Sequence, residues 1–306
     1  MMLPNEFPHR VATGEEIIAA ARRADELGVD ALWVGDHVMS HTPVLDCFSV
    51  LAMLTAATRH PVLASGVLIA PLRHPVLIAK AAMTIDHLSG GRFTLGLGVG
   101  GEIPQEFQAC DADLRRRGKR TDSMIEVLRD LMGGEPASSP NGSWGFTDVR
   151  LEPPAIQSGG PPVVVGGRSA AALRRAGRLA DGWLGYFMTA ERFQKSWVSI
   201  ESHATDSGRD PGSLLPAVLV FCSVDDDAAA ARSRGDRWLV DQFHVELEKV
   251  QRYCISGTPA QVADQLSAFL DAGARHLVLA SAGTDPMDQV SALAEGVMPL
   301  LGNYAA

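Results

Sequence analysis

Two rhythms of apolar residues alternate along the chain: short β-rich runs, and longer stretches with helical spacing. That alternation runs almost from end to end, which is the pattern of a parallel α/β fold. Thr13 followed by Glu16 predicts a capping box, after which Ile17, Ala20, Ala24 and Leu27 face one way before Gly28. Ala31 to Val34 reads as a buried strand that closes on Gly35-Asp36-His37. A helix over about Asp46 to Thr58 precedes a strand from Val62 to Ile69. Pro75 suits a first helical turn, and Ile78, Ala81, Ala82, Ile85 and Leu88 recur on one face before Gly90 and Gly91. Phe93-Thr94-Leu95 opens the next strand, with glycines at 96, 98, 100 and 101. That strand would let something flat and large lie against its backbone.

Beyond the glycine loop a basic helix is predicted over roughly Arg116 to Met132. Residues 133–160 are irregular, rich in Gly, Pro and Ser, and hold Trp144 and Phe146. Because the alternation resumes unchanged, they read as an insertion, with those two aromatics as a lid over the site. Val163 to Val165, Gly182 to Leu184, Leu215 to Val224 and His276 to Ala280 read as strands. Helices are expected over Ser169 to Leu179 and Ala190 to Thr205, and in a region that Asp225-Asp226-Asp227 opens and that ends near Val250. Thr258 and Gln261 form a second capping box with Pro259 at the first helical position, and a closing helix runs from Pro286 to Leu301. With Met1 to Leu3 the strands number eight, which predicts a (β/α)8 barrel over residues 1–306 as one domain. The first strand is short. Either the barrel closes on a stub or the natural start lies upstream.

Composition narrows the partners. A net charge of -9 disfavours nucleic acid and anionic membranes. No segment approaches the roughly 20 apolar residues of a membrane span. No signal peptide is recognised, and Cys47, Cys110, Cys222 and Cys254 form no CxxC pair. The expected compartment is the reducing cytoplasm. His60, His87, His203, His244 and His276 show no HxH or HExxH spacing, so no metal site is expected.

In a barrel of this kind chemistry sits at the C-terminal strand ends. Asp36 and His37 fall there, and a carboxylate beside an imidazole can share or accept a proton; capping of the following loop is the structural alternative. Ser65-Gly66-Val67 places a glycine inside a buried strand, the mark of a bulge or of simple packing. Gly166-Gly167-Arg168-Ser169 joins a strand to a helix whose N-cap is Ser169, a turn suited to an anion. Glu102 follows the glycine loop as a possible acid. The run Arg115, Arg116, Arg117, Lys119 and Arg120 reads as a solvated helix face.

Four segments resemble the bacterial luciferase-like monooxygenase superfamily, and within it the coenzyme F-420 (deazaflavin)-dependent branch. They are ADELGVDALWVGDHV (24–38), PLRHPVLIAKAAMTIDHLSGGRFTLGLGVG (71–100), VVVGGRSAAALRRAGRLADGWL (163–184) and GTPAQVADQLSAFLDAGARHLVL (257–279). The resemblance implies a (β/α)8 barrel with the cofactor ring at its mouth. Asp36 and His37 match the family's acid-and-imidazole pair. Gly66-Val67 matches a bulge, often with a non-prolyl cis peptide, that props the ring. Gly166, Gly167 and Ser169 match the phosphate turn, followed by Gly182-Trp183. Glu102 corresponds loosely to a catalytic glutamate, displaced by the extra glycine of Gly100-Gly101.

The expected function is hydride transfer between coenzyme F-420 and a small organic substrate, with Asp36, His37 and Glu102 as catalytic candidates. Ser65, Gly66, Val67, Gly98, Gly100, Gly166, Gly167, Arg168, Ser169, Gly182 and Trp183 are the cofactor-binding candidates. An FMN-dependent monooxygenase fed by a separate reductase is the first alternative; a flavin- or deazaflavin-binding protein without turnover is the second. The family expectation is a homodimer.

Overall fold

The computed structural model describes residues 1–6, 10–139, 144–283 and 290–302. Ten strands form: β1 (Met2–Leu3), β2 (Ala31–Val34), β3 (Val62–Ser65), β4 (Leu68–Ile69), β5 (Phe93–Gly98), β6 (Val163–Gly166), β7 (Gly182–Gly185), β8 (Leu215–Val224), β9 (Cys254–Gly257) and β10 (His276–Ser281). All their pairings are parallel, in the order β10-β1-β2-β3-β5-β6-β7-β8, and β8 pairs back onto β10. The sheet is therefore a closed eight-stranded barrel with helices between its strands. The two-residue β1 suffices for closure, because Met2 pairs with both Trp33 and Ala280 and Leu3 with Val34.

Side-chain period two divides each strand between two layers. Leu32, Val34, Leu63, Leu95, Leu97, Val163, Val165 and Trp183 point outward and pack under the helices. Fully burying one such large side chain contributes roughly 1.5–3 kcal/mol, so this outer layer carries most of the stability. The lumen holds mostly small side chains, Ala31, Ala64, Val164, Ala217, Val278 and Ala280, around Trp33. At the N-terminal end the Trp33 indole N–H donates to His276 Nε2 at 3.1 Å. Burial holds the His276 pKa down at about 4, so the ring is neutral and able to accept.

Three expectations need correction. The single strand over 62–69 is two, β3 and β4, because the chain bulges between them and the Gly66–Val67 peptide is cis. β9 was not foreseen; it pairs with Phe221 to Val224 and extends the wall of β8 upward. Leu88 is 59% exposed, and the buried face of helix Pro75–Ser89 turns instead through Ile78, Ala79, Ala82, Met83 and Ile85. The described part of the insertion packs against helices Pro75–Ser89 and Arg117–Gly133. Phe146 lies 5.9 Å from the His74 ring and Trp144 sits under the Arg120 guanidinium. Further along, Ile156 N–H and Gln157 N–H donate to the buried Asp86 carboxylate. Of the closing helix, residues 284–289 lie outside the described residues; Ala292–Val297 winds as a π-helix and Met298–Leu301 as an α-helix.

Candidate active site

The neighbours Asp36 and His37 leave the end of β2 toward different partners. Asp36 is buried, and both its oxygens accept from Arg73, Oδ2 at 2.7 Å and Oδ1 at 2.8 Å. Oδ2 also accepts from the Ile69 backbone N–H at 2.8 Å. A bidentate pair of this kind fixes orientation as well as charge. Here it clamps the exit of the bulge, at β4, onto the end of β2. Three hydrogen bonds from protein hold Asp36, so its geometry serves as a brace, with one lone pair of Oδ1 left over.

His37 is held by one ring nitrogen only. Its Nδ1 lies 3.2 Å from each carboxylate oxygen of Glu106, a side chain with no exposed surface. Glu106 Oε1 also accepts from Val38 N–H at 2.7 Å and Met39 N–H at 3.2 Å. Burial pulls the imidazole's pKa down, but the hydrogen bond and charge of Glu106 outweigh it, helped by Glu6 and Glu102, and the net shift is upward. Burial pushes Glu106 up, yet the His37 hydrogen bond and charge and the Met39 and Val38 amides bring it below the ordinary carboxylate value. An ionised Glu106 accepts from Nδ1–H, which leaves Nε2 as the basic nitrogen of neutral His37.

The glycines of β5 and β6 make room for the chain itself. A Cβ on Gly96 would stand 2.0 Å from the Ser65 carbonyl oxygen, one on Gly98 2.6 Å from Val67 Cγ2, and one on Gly166 3.0 Å from the same methyl. Gly100 is closed by Ile69 and Phe107 in the same way. The bare face of β5 thus houses the bulge. Ser65 locks the arrangement: its hydroxyl donates to Gly96 O and accepts from Gly96 N–H, at 2.8 and 2.9 Å.

Between β6 and helix Ala170–Leu179, Gly167 takes a left-handed φ of 119° and Ser169 caps the helix through Ala172 N–H. The exposed Arg168 donates to Phe187 O at 2.9 Å. Trp183 is fully buried, stacks on Phe193 and donates its indole N–H to Gly167 O at 2.7 Å, so it supports the turn from behind. Gly182 begins β7 at the opposite end of the barrel, packed on Leu215. Neither Gly182 nor Trp183 lines the mouth. Glu102 meets Tyr186 instead, accepting from its hydroxyl at 2.6 Å. Within the basic run, Arg117 donates to the carbonyls of Gly100 and Leu114, which ties down the glycine loop.

Arg73, Glu106 and Tyr186 were missed from sequence. Glu106 lies 69 residues from His37, and only its place on an amphipathic turn one step past the glycine loop marked it. A groove of about 340 Å³ bounded by Trp197, Leu214, Pro216, Gly273 and Arg275 opens at the N-terminal end, by the starts of β8 and β10. It shares no residue with the mouth just described.

The family model for luciferase-like monooxygenases matches residues 1–244. The chain belongs to that family. It is similar to a coenzyme F-420-dependent glucose-6-phosphate dehydrogenase of Kineococcus radiotolerans, 25% identical with 92% of this chain and 91% of the relative covered. A coenzyme F-420-dependent hydroxymycolic acid dehydrogenase of Mycobacterium tuberculosis is 27% identical, with 87% and 79% covered. A 4-hydroxyprotoasukamycin monooxygenase of Streptomyces nodosus is 31% identical over 62% of this chain and 53% of its own. Among solved structures, a coenzyme F-420-dependent secondary alcohol dehydrogenase superposes with a TM-score of 0.86 at 18% identity, covering 98% and 97% of the two chains. An FMN-containing type II Baeyer–Villiger monooxygenase of Pseudomonas putida gives 0.75 at 17%, with 98% and 97% covered. At those identities the structural likeness speaks for the fold. The luciferase-like family is one of oxidoreductases, and this protein is an oxidoreductase of it.

Proposed function

We propose that the protein moves a hydride between a deazaflavin, coenzyme F-420, and the carbinol or carbonyl carbon of a small organic substrate. The observation that carries this reading is the His37–Glu106 pair: an imidazole at the barrel mouth whose basic nitrogen is free and whose other nitrogen is fixed by a buried carboxylate. Oxidising an alcohol removes a hydride from carbon and a proton from oxygen, and the second task needs a positioned base. His37 Nε2 takes that proton in oxidation and returns it in reduction. Glu106 keeps the ring in the useful tautomer and stabilises the imidazolium.

The cofactor, when bound, supplies the ring carbon that accepts or gives up the hydride. The residues present fit such a group. The turn Gly166-Gly167-Arg168-Ser169 offers an exposed guanidinium at a helix N-terminus for a phosphorylated tail. The Gly66-Val67 bulge, braced by Asp36–Arg73 and Ser65–Gly96, would support such a ring. Kinship with coenzyme F-420-dependent relatives over nearly the whole chain supports the same cofactor.

The monooxygenase relative and the FMN-containing neighbour give the second reading, oxygen chemistry on reduced FMN. Titration of the purified protein with each cofactor, followed by ring fluorescence, separates them. The expected result is saturable binding of coenzyme F-420 and its reduction by an alcohol panel. Tight FMN binding with no response to the deazaflavin would overturn the first reading.

A further inference from the structure

We infer that the substrate has an aromatic or alicyclic body carrying an alcohol or ketone. This rests on the hydride-transfer reading above and names the substrate class of that site. The opposite side of the mouth from the bulge is built of rings. Phe187, which follows β7, has its ring centroid 5.4 Å from Tyr186, 5.2 Å from Phe221, 4.9 Å from Phe243 and 5.4 Å from Tyr253. Phe221 also meets Trp238 at 5.5 Å. Four elements deliver these rings: the β7 loop, β8, helix Ala228–Phe243 and the turn Gln251–Tyr253 before β9.

The wall and His37 face one space, because contacts run around the rim between them. His37 joins Glu106, which lies on the helix after β5. Glu102, at the start of that same connection, joins Tyr186. Tyr186 leads to Phe187 and Phe187 to Phe243, whose neighbour His244 meets His41 of the His37 loop at 5.4 Å. Phe187 itself holds a left-handed φ of 48°, which a bulky side chain adopts only under constraint from its surroundings. Phe187, Trp238, Phe243 and Tyr253 are each half-buried.

The chemistry of this wall decides the class of ligand. The Tyr186 hydroxyl is committed to Glu102 and the Tyr253 hydroxyl to Arg252, whose guanidinium lies over that tyrosine ring. The rings offer a large apolar area with a preference for other rings.

Calorimetric binding of acetophenone, cyclohexanone and glucose 6-phosphate tests this, on the purified protein alone and with whichever cofactor it takes up. The two ketones are expected to bind in at least one of these states, and Phe187→Ala is expected to weaken them roughly tenfold. Tyr253→Leu, which keeps an apolar residue at the edge of the cluster, serves as a second variant should Phe187→Ala not fold. Binding of the sugar phosphate in preference to both ketones would overturn the inference. So would failure of both ketones to bind in either state, or unchanged ketone affinity in a folded variant. Ketone binding without hydride transfer to or from coenzyme F-420 would uphold the apolar site and defeat the proposed function, so the two can fail separately.

Discussion

The two sides of the barrel mouth are held by different physics. On the β2–β5 side, carboxylates with no exposed surface are each paired with a partly exposed base: Asp36 with Arg73, Glu106 with His37. On the β7–β9 side, rings contact rings, and the polar groups are turned to one another. The first side is brittle, because removing one partner strands a buried charge. The second is graded, because each ring contributes area and loses it in proportion. In the proposed function, catalysis falls to the brittle side, where geometry must be fixed within a fraction of an ångström, and selectivity to the graded one.

The sharpest way to break the comparison is at His37. His37→Asn is expected to lower kcat/KM for alcohol oxidation by about 10²–10⁴-fold while cofactor affinity stays within a few-fold. Glu106→Gln should move the acid limb of the pH–rate profile to lower pH, because the charge that raises the imidazole's pKa is gone. NMR titration of His37 reads that shift directly, without turnover. An unmoved pKa would remove Glu106 from its positioning role.

Next in size is Arg73→Ala. It leaves the Asp36 carboxylate buried without its cation, and a loss of about 3–5 kcal/mol in denaturant unfolding is expected. A loss below about 1 kcal/mol would show that Asp36 is braced by Ile69 N–H alone.

A third prediction contrasts His37 with His276, at the far end of the barrel. The His276 pKa falls from 6.5 unfolded to about 4 folded, so the unfolded chain binds the extra proton between those values. Stability from this group is complete above pH 6.5 and is lost as the pH falls toward 4, by about 3 kcal/mol in all. The His37 interaction has the opposite sign: it is present below the unfolded value and fades as the pH rises through the raised folded one. Tm measured against pH for the protein and for His276→Asn should differ in slope on the acid side only.

The smallest expected effect lies at the glycines. Gly98→Ala drives a methyl into Val67 and should cost about 1–3 kcal/mol in thermal or denaturant unfolding. Val67→Ala in the same chain should recover part of that loss, a coupling that neighbouring residues show and distant ones do not. Additive losses would mean that Gly98 faces a ligand after all.

The eight barrel strands, the capping boxes at Thr13 and Thr258, and the strand–turn–helix at Gly166 to Ser169 were all legible in the residues. Each is local: period, cap chemistry and glycine placement act within a few positions of themselves. Even the bulge was visible as Gly66 inside a β-branched strand. The purpose of the glycines facing it was not, since Ser65 and Gly96 are 31 residues apart and only the β3–β5 register brings them together.

The sequence by itself therefore determined an eightfold α/β alternation and the strand ends at which chemistry sits. Only the tertiary structure decided which of the adjacent Asp36 and His37 is a brace and which keeps a free nitrogen. The reason is distance along the chain: Asp36 finds its cation 37 residues away, and His37 finds its carboxylate 69 residues away. A titratable group's role depends on what surrounds it in space, and a periodic pattern carries no record of that. The aromatic wall is the same case on a larger scale, its rings lying as far apart as Tyr186 and Tyr253 and meeting only because β9 rises on β8.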